Sequence, residues 1–551
     1  MPTLREQLRD AVTQARRAAA AAGELPLPDE ASLPPVGIEH PSRPEHGDFA
    51  TNAAMQLAPL ARNAPLRIAD ALLRHLSLPP GVASVETAAP GFINFRLDPA
   101  WVAGQVAAIR DAGSAYGAHP VARPRRINVE FVSANPTGPL TIGNARGAFV
   151  GDLLARVLEA VGHEVTREYY FNDGGTQVDN LGLSVLARRE GSDIPEDGYR
   201  GAYVADLARE LPEDVLAGAT APGTDTGAVL GAWAAERIRA SIERSLANLG
   251  VRFDVWTSEV TIERDGWMDR GLAALREAGH LFEEEGATWF RSTAFGDDRD
   301  RVVLRSDGRP TYFAKDIGYV MEKFSRGFDE LIYLWGEDHH GTVARLRNAA
   351  QALGFDREAV QMILIAWVRF IRNGQEIGAS KRSGEFITLD ELLGEIGVDA
   401  ARWFFGARAT STGIDFDMDL ATAESSENPV YYVQYAHARC ASILRHAAER
   451  SVTPDAGAAA DLLHHPAEQA LIKHLLTLPD VLADASERRE THELPRFCHE
   501  AASLYSQFYR DCRVLSDDAP LSAARLALVD VTRQVLANAL GLMGISAPDS
   551  M

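Results

Sequence analysis

The sequence predicts a multidomain α/β protein. A split, Rossmann-like parallel sheet carries a helical insertion, with a small α/β domain before it and an all-α helical bundle after it. Three observations carry this prediction. A strand, a Gly/Pro loop, a helix and a second strand follow one another between residues 127 and 171, the order of one half of a doubly wound sheet. Two more strand-like runs flanking a helical one return only after residue 328. Beyond about residue 421 the apolar residues recur at helical spacing alone. The expected domains are therefore 1–120, 121–420 with an insertion at about 174–300, and 421–551.

Taken in order, Leu4 to Ala22 reads as an Ala/Arg-rich helix stopped by Gly23, and Gly91 to Leu97 as a strand. Ile127 to Val132 alternates and is β-branched, a strand pattern. The turn formers from Asn135 to Asn144 follow, then a helix from about Ala145. In it Phe149, Leu153, Leu154, Val157, Leu158 and Val161 share a face, and Gly162 suits the end. Glu164 to Phe171 is the next strand. The second half runs through a strand at 329–336, a helix from Val343 to Leu353 and a buried strand from Val360 to Val368. An Asn373-Gly374 hairpin turn opens a polar loop, 378–384. Pro429 fits a first helical turn, with Val433, Ala436, Cys440, Ile443, Leu444 and Ala447 as the buried face of one long helix.

Composition bounds the function. The 551 residues are 46% hydrophobic and 24% charged, which excludes a disordered chain, a collagen and a disulfide scaffold. Asp and Glu (77) outnumber Lys and Arg (55), giving a net charge of −22; that argues against a sequence-blind polyanion binder but leaves room for a local basic stripe. Cys440, Cys498 and Cys512 lack metal-ligand spacing and read as buried hydrophobes in a reducing compartment. The apolar run Met362 to Val368 is too short to span a bilayer, and Glu6 and Asp10 interrupt the N-terminal arginines, so no membrane or signal segment is expected. The expected location is cytoplasmic.

A helix N-terminus behind a Gly-rich loop offers free N–H groups and a positive dipole end, so Gly143 is a candidate phosphate contact. Lys381 and Arg382, in the polar loop of the other half, supply cations for a leaving pyrophosphate.

With these residues in view, the run NVEFVSANPTGPLTIGNARG (residues 128–147) resembles the HIGH region of class I aminoacyl-tRNA synthetases, specifically the arginyl-tRNA synthetases. The resemblance covers nearly the whole chain: HGDFATNAA, EYYFNDGGTQ, FDVWTSEV, GRPTYFAKDIGY, WGEDHHG, VDAARWFF and ENPVYYVQYAHAR all match, and GASKRSGEFITLDEL resembles the KMSKS loop. Two departures stand out. Thr141 and Asn144 replace the two histidines of HIGH, and Gly378 replaces the first lysine of KMSKS, where Ser380 and Lys381 remain. Relatives lacking that lysine place another just before HIGH; here the position is Thr137, so Lys381, Arg382 and Arg146 are the expected sources of charge.

The resemblance implies an arginine–tRNA ligase. The carboxylate of L-arginine attacks the α-phosphorus of ATP, pyrophosphate leaves, and the 3′-terminal adenosine of tRNA(Arg) takes the arginyl group, with AMP released. Mg²⁺ is expected as the ATP counterion, without a structural metal. Bound tRNA is expected to be required for the first step, and the enzyme to be a monomer. Thr141, Gly143, Asn144 and Lys381 are the implied catalytic residues; Gly143, Asn144, Asp338, His339, Ser380 and Lys381 bind ATP, with His340 an alternative adenosine contact.

The guanidinium of arginine calls for a carboxylate and an aromatic partner. Tyr312 and Asp316, one helical turn apart, match the family's side-chain selectors. Removing Asp316 would strand a buried guanidinium at roughly 3–5 kcal/mol, with loss of Tyr312 milder. Glu130 and Asn135 match the positions that hold the substrate's amino and carboxylate ends, although an outward charge on a strand is the ordinary alternative for Glu130. Tyr170, Asn172 and Gln177 line the same pocket. For tRNA, Tyr431, Tyr435 and Arg439, with Tyr432, Gln434 and His437, give one helix an aromatic and cationic surface suited to unpaired bases. Asp338-His339-His340 alone also suggests a metal-dependent phosphoesterase, and the altered signature loops suggest a silent tRNA-binding relative.

Overall fold

The computed structural model describes residues 3–41, 43–377 and 387–551. The helix Leu4–Ala21 begins where the Thr3 hydroxyl accepts the Glu6 N–H (3.2 Å) and the Glu6 carboxylate accepts the Thr3 N–H (2.7 Å), a reciprocal cap. It packs on the helix Pro65–His75, which with the helix Ala53–Ala61 lies against an antiparallel sheet of β1 (Phe49–Thr51), β2 (Val82–Ala88) and β3 (Phe92–Leu97), in the order β1-β3-β2. This unit leans on the C-terminal bundle, where Lys473 pairs with Asp48 at 2.7 Å and Arg5 with Asp484 at 2.7 Å.

β4 (Arg126–Glu130), β5 (Glu164–Phe171) and β6 (Val255–Ser258) lie parallel. After the small antiparallel sheet β7 (Leu281–Glu284), β8 (Ala287–Phe290) and β9 (Arg301–Leu304) come β10 (Glu330–Gly336) and β11 (Val360–Ile365). Among the described residues the central sheet has five parallel strands, in the order β11-β10-β4-β5-β6. The split sheet and its helical insertion are as expected; the insertion also carries short strands. Residues 255–258 rejoin the sheet as its edge strand, and four residues of alternation are too few to outweigh the helical periodicity on either side. Within the insertion the helices Thr176–Glu190 and Thr226–Asn248 approach closely through glycines: a Cβ on Gly182 would lie 2.4 Å from the Gly227 carbonyl oxygen.

The run Val360 to Val368 is likewise not one strand. It breaks at Ala366, whose N–H donates to Thr410 (2.9 Å) and whose carbonyl accepts from Arg146 (2.9 Å). β12 (Val368–Arg372) starts a separate sheet with β13 (Gln375–Ile377) and β14 (Ile414–Asp417). Asn373 (φ 49°) and Gly374 (φ 70°) make the expected hairpin turn between β12 and β13.

Beyond residue 422 the described elements are helices, chiefly Pro429–Glu449, Pro466–Leu475, Leu478–Arg488, Glu493–Asp511 and Ala519–Leu542. Val433, Ala436, Cys440 and Ala447 are buried as expected, while Ile443 and Leu444 are half-buried against the same core. The three cysteines are free and buried; burial pushes the Cys440 thiol up to about 12. Among the described residues no helix is long and apolar enough to cross a membrane.

Candidate active site

The chain order reverses between β4 and β10, so a crevice opens at the carboxyl ends of these strands, where parallel sheets bind ligands. Glu130 ends β4 beside Tyr333 of β10. The following loop has Val132 at φ 67° and Ser133 at φ 43°; a β-branched residue there is strained and persists because the surroundings fix it. The Tyr169 hydroxyl donates to the Ala134 carbonyl (2.9 Å) and accepts its N–H (3.1 Å), while the Ser133 hydroxyl donates to Glu130 (3.2 Å) and accepts from Tyr170 N–H (3.2 Å). Asn135 donates to Gln177 and accepts from Asn172 N–H, both at 3.3 Å. Glu130, Asn135, Tyr170, Asn172 and Gln177 thus share one connected wall.

Thr141 caps the helix Ile142–Ala160, and the Asn144 side-chain oxygen accepts from both the Thr141 N–H (3.0 Å) and its hydroxyl (3.2 Å). The two residues that replace histidines are engaged with each other, and Gly143 between them is exposed, with only Thr141 near where a Cβ would stand. Ile142 N–H donates to the Ile387 carbonyl (3.2 Å) and Leu389 N–H to the Leu140 carbonyl (2.9 Å). The residues that follow the second signature loop are therefore fastened to this helix N-terminus. Gly378, Ser380, Lys381 and Arg382 themselves lie outside the described residues.

Arg146 does not serve as a phosphate cation. It is buried, and its guanidinium donates to the carbonyls of Ala366, Thr412 and Ala409 at 2.8–2.9 Å; burial lowers it to about 10. It braces the segment after β11, and both of its terminal guanidinium nitrogens are committed there.

The helix Tyr312–Ser325 delivers the carboxylate to the pocket. Asp316 has no hydrogen-bond or ion-pair partner among the described residues; burial, then the negative charges of Glu130 and Glu259, push it up to about 7, opposed by Lys315. Tyr312, at the first turn of the same helix, is 76% exposed. Sequence reading missed the residues that set this field. Lys323 is fully buried and donates to Glu130 (2.6 Å) and Asn128 (2.8 Å), so Glu130 is an internal, neutralised carboxylate rather than an outward charge. Glu259, from the insertion, accepts from the Tyr170 hydroxyl (2.6 Å) and from Lys315 (2.6 Å). Burial would raise Glu168, but Lys323, Arg326 and the hydroxyls of Thr257 and Tyr319 hold it at about 2. A lysine on the apolar face of Ile317, Val320 and Phe324 was the one local signal.

Asp338 and His339 sit exposed beyond β10, 3.6 Å apart, with the His339 ring 5.3 Å from Trp335. Among the described residues no three His, Cys, Asp or Glu side chains stand together as a metal would require. In the bundle the Tyr435 hydroxyl accepts from Arg439 (2.7 Å), and Arg439 lies over the rings of both Tyr435 and Tyr509. Gln434 and His437 belong to the interior, bonded to Asp399 and to Pro548, and Tyr432 bonds Ser506. Tyr431 is half-buried. Tyr435 is exposed, and the half-buried Arg439 lies between it and the exposed Tyr509.

Comparison with known proteins identifies the family. Residues 3–97 match the arginyl tRNA synthetase N terminal domain, residues 106–194 and 232–405 the catalytic domain of class I (R) tRNA synthetases, and residues 433–551 the DALR anticodon binding domain. The chain is 46% identical to the arginine–tRNA ligases of Moorella thermoacetica and Desulforudis audaxviator, over 99% of each chain. The arginyl-tRNA synthetase structure of Thermus thermophilus superposes with a TM-score of 0.81 at 25% identity over the full length of both chains. A split parallel sheet with a carboxylate-lined crevice, full-length identity and the three domain matches place the chain in the class I arginyl-tRNA synthetase family.

Proposed function

We propose that the crevice between β4 and β10 carries out the family reaction, ATP-dependent activation of L-arginine and its transfer to tRNA, through the following residue roles. Asp316 and Glu259 receive the guanidinium, with Tyr312 covering it. Glu130, hydrogen-bonded by Lys323, takes the α-amino group, and Asn135 and Gln177 orient the carboxylate. A planar cation with five donors suits two carboxylates and a hydroxyl better than an ammonium does. The single observation that carries this reading is the unpartnered Asp316 carboxylate, raised to about 7 amid Glu130 and Glu259: a site short of one positive charge.

The N-terminus of the helix Ile142–Ala160 meets the ATP phosphates at Gly143 and Asn144. His339 and Asp338 contact the adenosine, and Ser380 and Lys381 meet the departing pyrophosphate. The substrate carboxylate attacks the α-phosphorus, and the protein contributes position and charge rather than covalent chemistry. Mg²⁺ enters with ATP as its counterion. The helical bundle meets the anticodon loop through Tyr431, Tyr435 and Arg439, and the N-terminal unit the tRNA corner.

Arginine-dependent pyrophosphate exchange, with and without tRNA, tests these roles. Asp316→Ala is expected to raise the arginine KM by at least about a hundredfold, and Lys381→Ala to lower kcat with little change in that KM. An unaltered exchange rate in Lys381→Ala would remove that residue from the reaction.

A further inference from the structure

Lys315 stands next to Asp316 in the chain, yet its charge is spent elsewhere. Its Nζ donates to one oxygen of Glu259 at 2.6 Å and is also paired with Glu263. The Tyr170 hydroxyl donates to the other Glu259 oxygen at 2.6 Å. Both oxygens of Glu259 are thus partnered while Asp316, one residue from Lys315, has no partner among the described residues. An arriving guanidinium finds one carboxylate open and the other already taken. Glu259 and Glu263 lie one turn apart on the helix Glu259–Arg264. The flexible lysine stem can therefore leave the first without giving up the second.

We propose that Lys315 is a resident counter-cation of the arginine pocket, holding Glu259 while the pocket is empty and retiring onto Glu263 when the substrate's guanidinium arrives. The inference rests on the assignment of Asp316 and Glu259 to that guanidinium. Among the described residues Lys323 is paired with Glu130 and Lys315 with Glu259 and Glu263, which leaves Asp316 for the substrate. Lys315 acts through Glu259 and is a positioning residue: it sets how much of the substrate's charge interaction goes into displacing a competitor.

The test is the arginine KM and kcat of the full chain in tRNA-dependent pyrophosphate exchange, at about pH 8.5 so that Asp316 is ionised. Lys315→Met removes the competitor and is expected to lower the arginine KM about three- to tenfold; Glu263→Gln removes the retreat and is expected to raise it by a similar factor, with kcat within about twofold in both. General loosening of the pocket would not move KM in opposite directions. Glu263 is exposed, so its variant stands as an independent arm should Lys315→Met fold poorly. Both variants shifting KM the same way, or neither shifting it, overturns the proposal. Asp316→Asn separates the two levels: an unchanged arginine KM there faults the pocket assignment, whereas a raised KM with unmoved Lys315 and Glu263 arms faults the counter-cation alone.

Discussion

Asp316 gathers the electrostatics of the pocket into one titration. An aspartate in an unfolded chain titrates near pH 3.9, whereas here burial and the charges of Glu130 and Glu259 raise it to about 7. The fold favours the protonated form, so the group's stabilising contribution is complete below about pH 4 and is lost as pH rises through about 7. In the proposed role of Asp316 the guanidinium needs the carboxylate, so arginine binding has the opposite dependence. The arginine KM is therefore expected to fall as pH rises through about 7, and Asp316→Asn should flatten that profile while raising KM throughout; initial rates against pH in both enzymes check this. Tyr312 and Asp316 were legible because they stand in one contiguous motif, GRPTYFAKDIGY, that carries the family resemblance. Glu259 was not, since 57 residues separate it from Asp316 and only tertiary structure brings their charges together.

At the scale of elements, periodicity placed the helix Ile142–Ala160 and the strands β4, β5 and β10 to within a few residues. It failed where an element is short or where a side chain from elsewhere ends it. β6 has four residues, and β11 stops where Arg146, two hundred residues upstream, takes the Ala366 carbonyl. Arg146 had been read as a candidate phosphate cation because its neighbours carry the signature motif, but its position on the buried side of the helix decides otherwise. The paired insertion helices depend on their glycines: Gly182→Ala would place a Cβ 2.4 Å from the Gly227 oxygen and the Gly231 nitrogen. It is expected to cost about 1–3 kcal/mol, read as a lower midpoint in thermal unfolding, with arginine KM altered less than stability.

Across the whole molecule, buried arginines join the domains. Arg402 donates to Asp152 on the signature helix (2.8 Å), to the Leu249 carbonyl at the end of the insertion helix Thr226–Asn248 (2.8 Å) and to the Met543 carbonyl of the terminal bundle (2.9 Å). Arg489 of the bundle reaches the buried Glu330 at the start of β10 at 2.6 Å. Arg402→Met strands these acceptors and is expected to destabilise the protein by roughly 3–5 kcal/mol. Unfolding in urea, followed by far-UV circular dichroism, should then resolve the bundle from the sheet; a single unshifted transition would deny Arg402 this role.

By itself the sequence determined the α/β class, the split sheet, the helical C-terminal domain and the family, because these rest on periodicity and contiguous motifs. It also singled out Gly143 as the apex of a Gly-rich loop before a helix, and Asp316 and Glu130 through their match to the family's motifs. The tertiary structure alone decided which charges face one another: Lys323 under Glu130, Lys315 on Glu259, Asp316 left open, Arg146 turned inward. Coulombic and hydrogen-bonding terms depend on distances of a few ångströms and on exclusion of water, and neither quantity exists in a chain until it has folded.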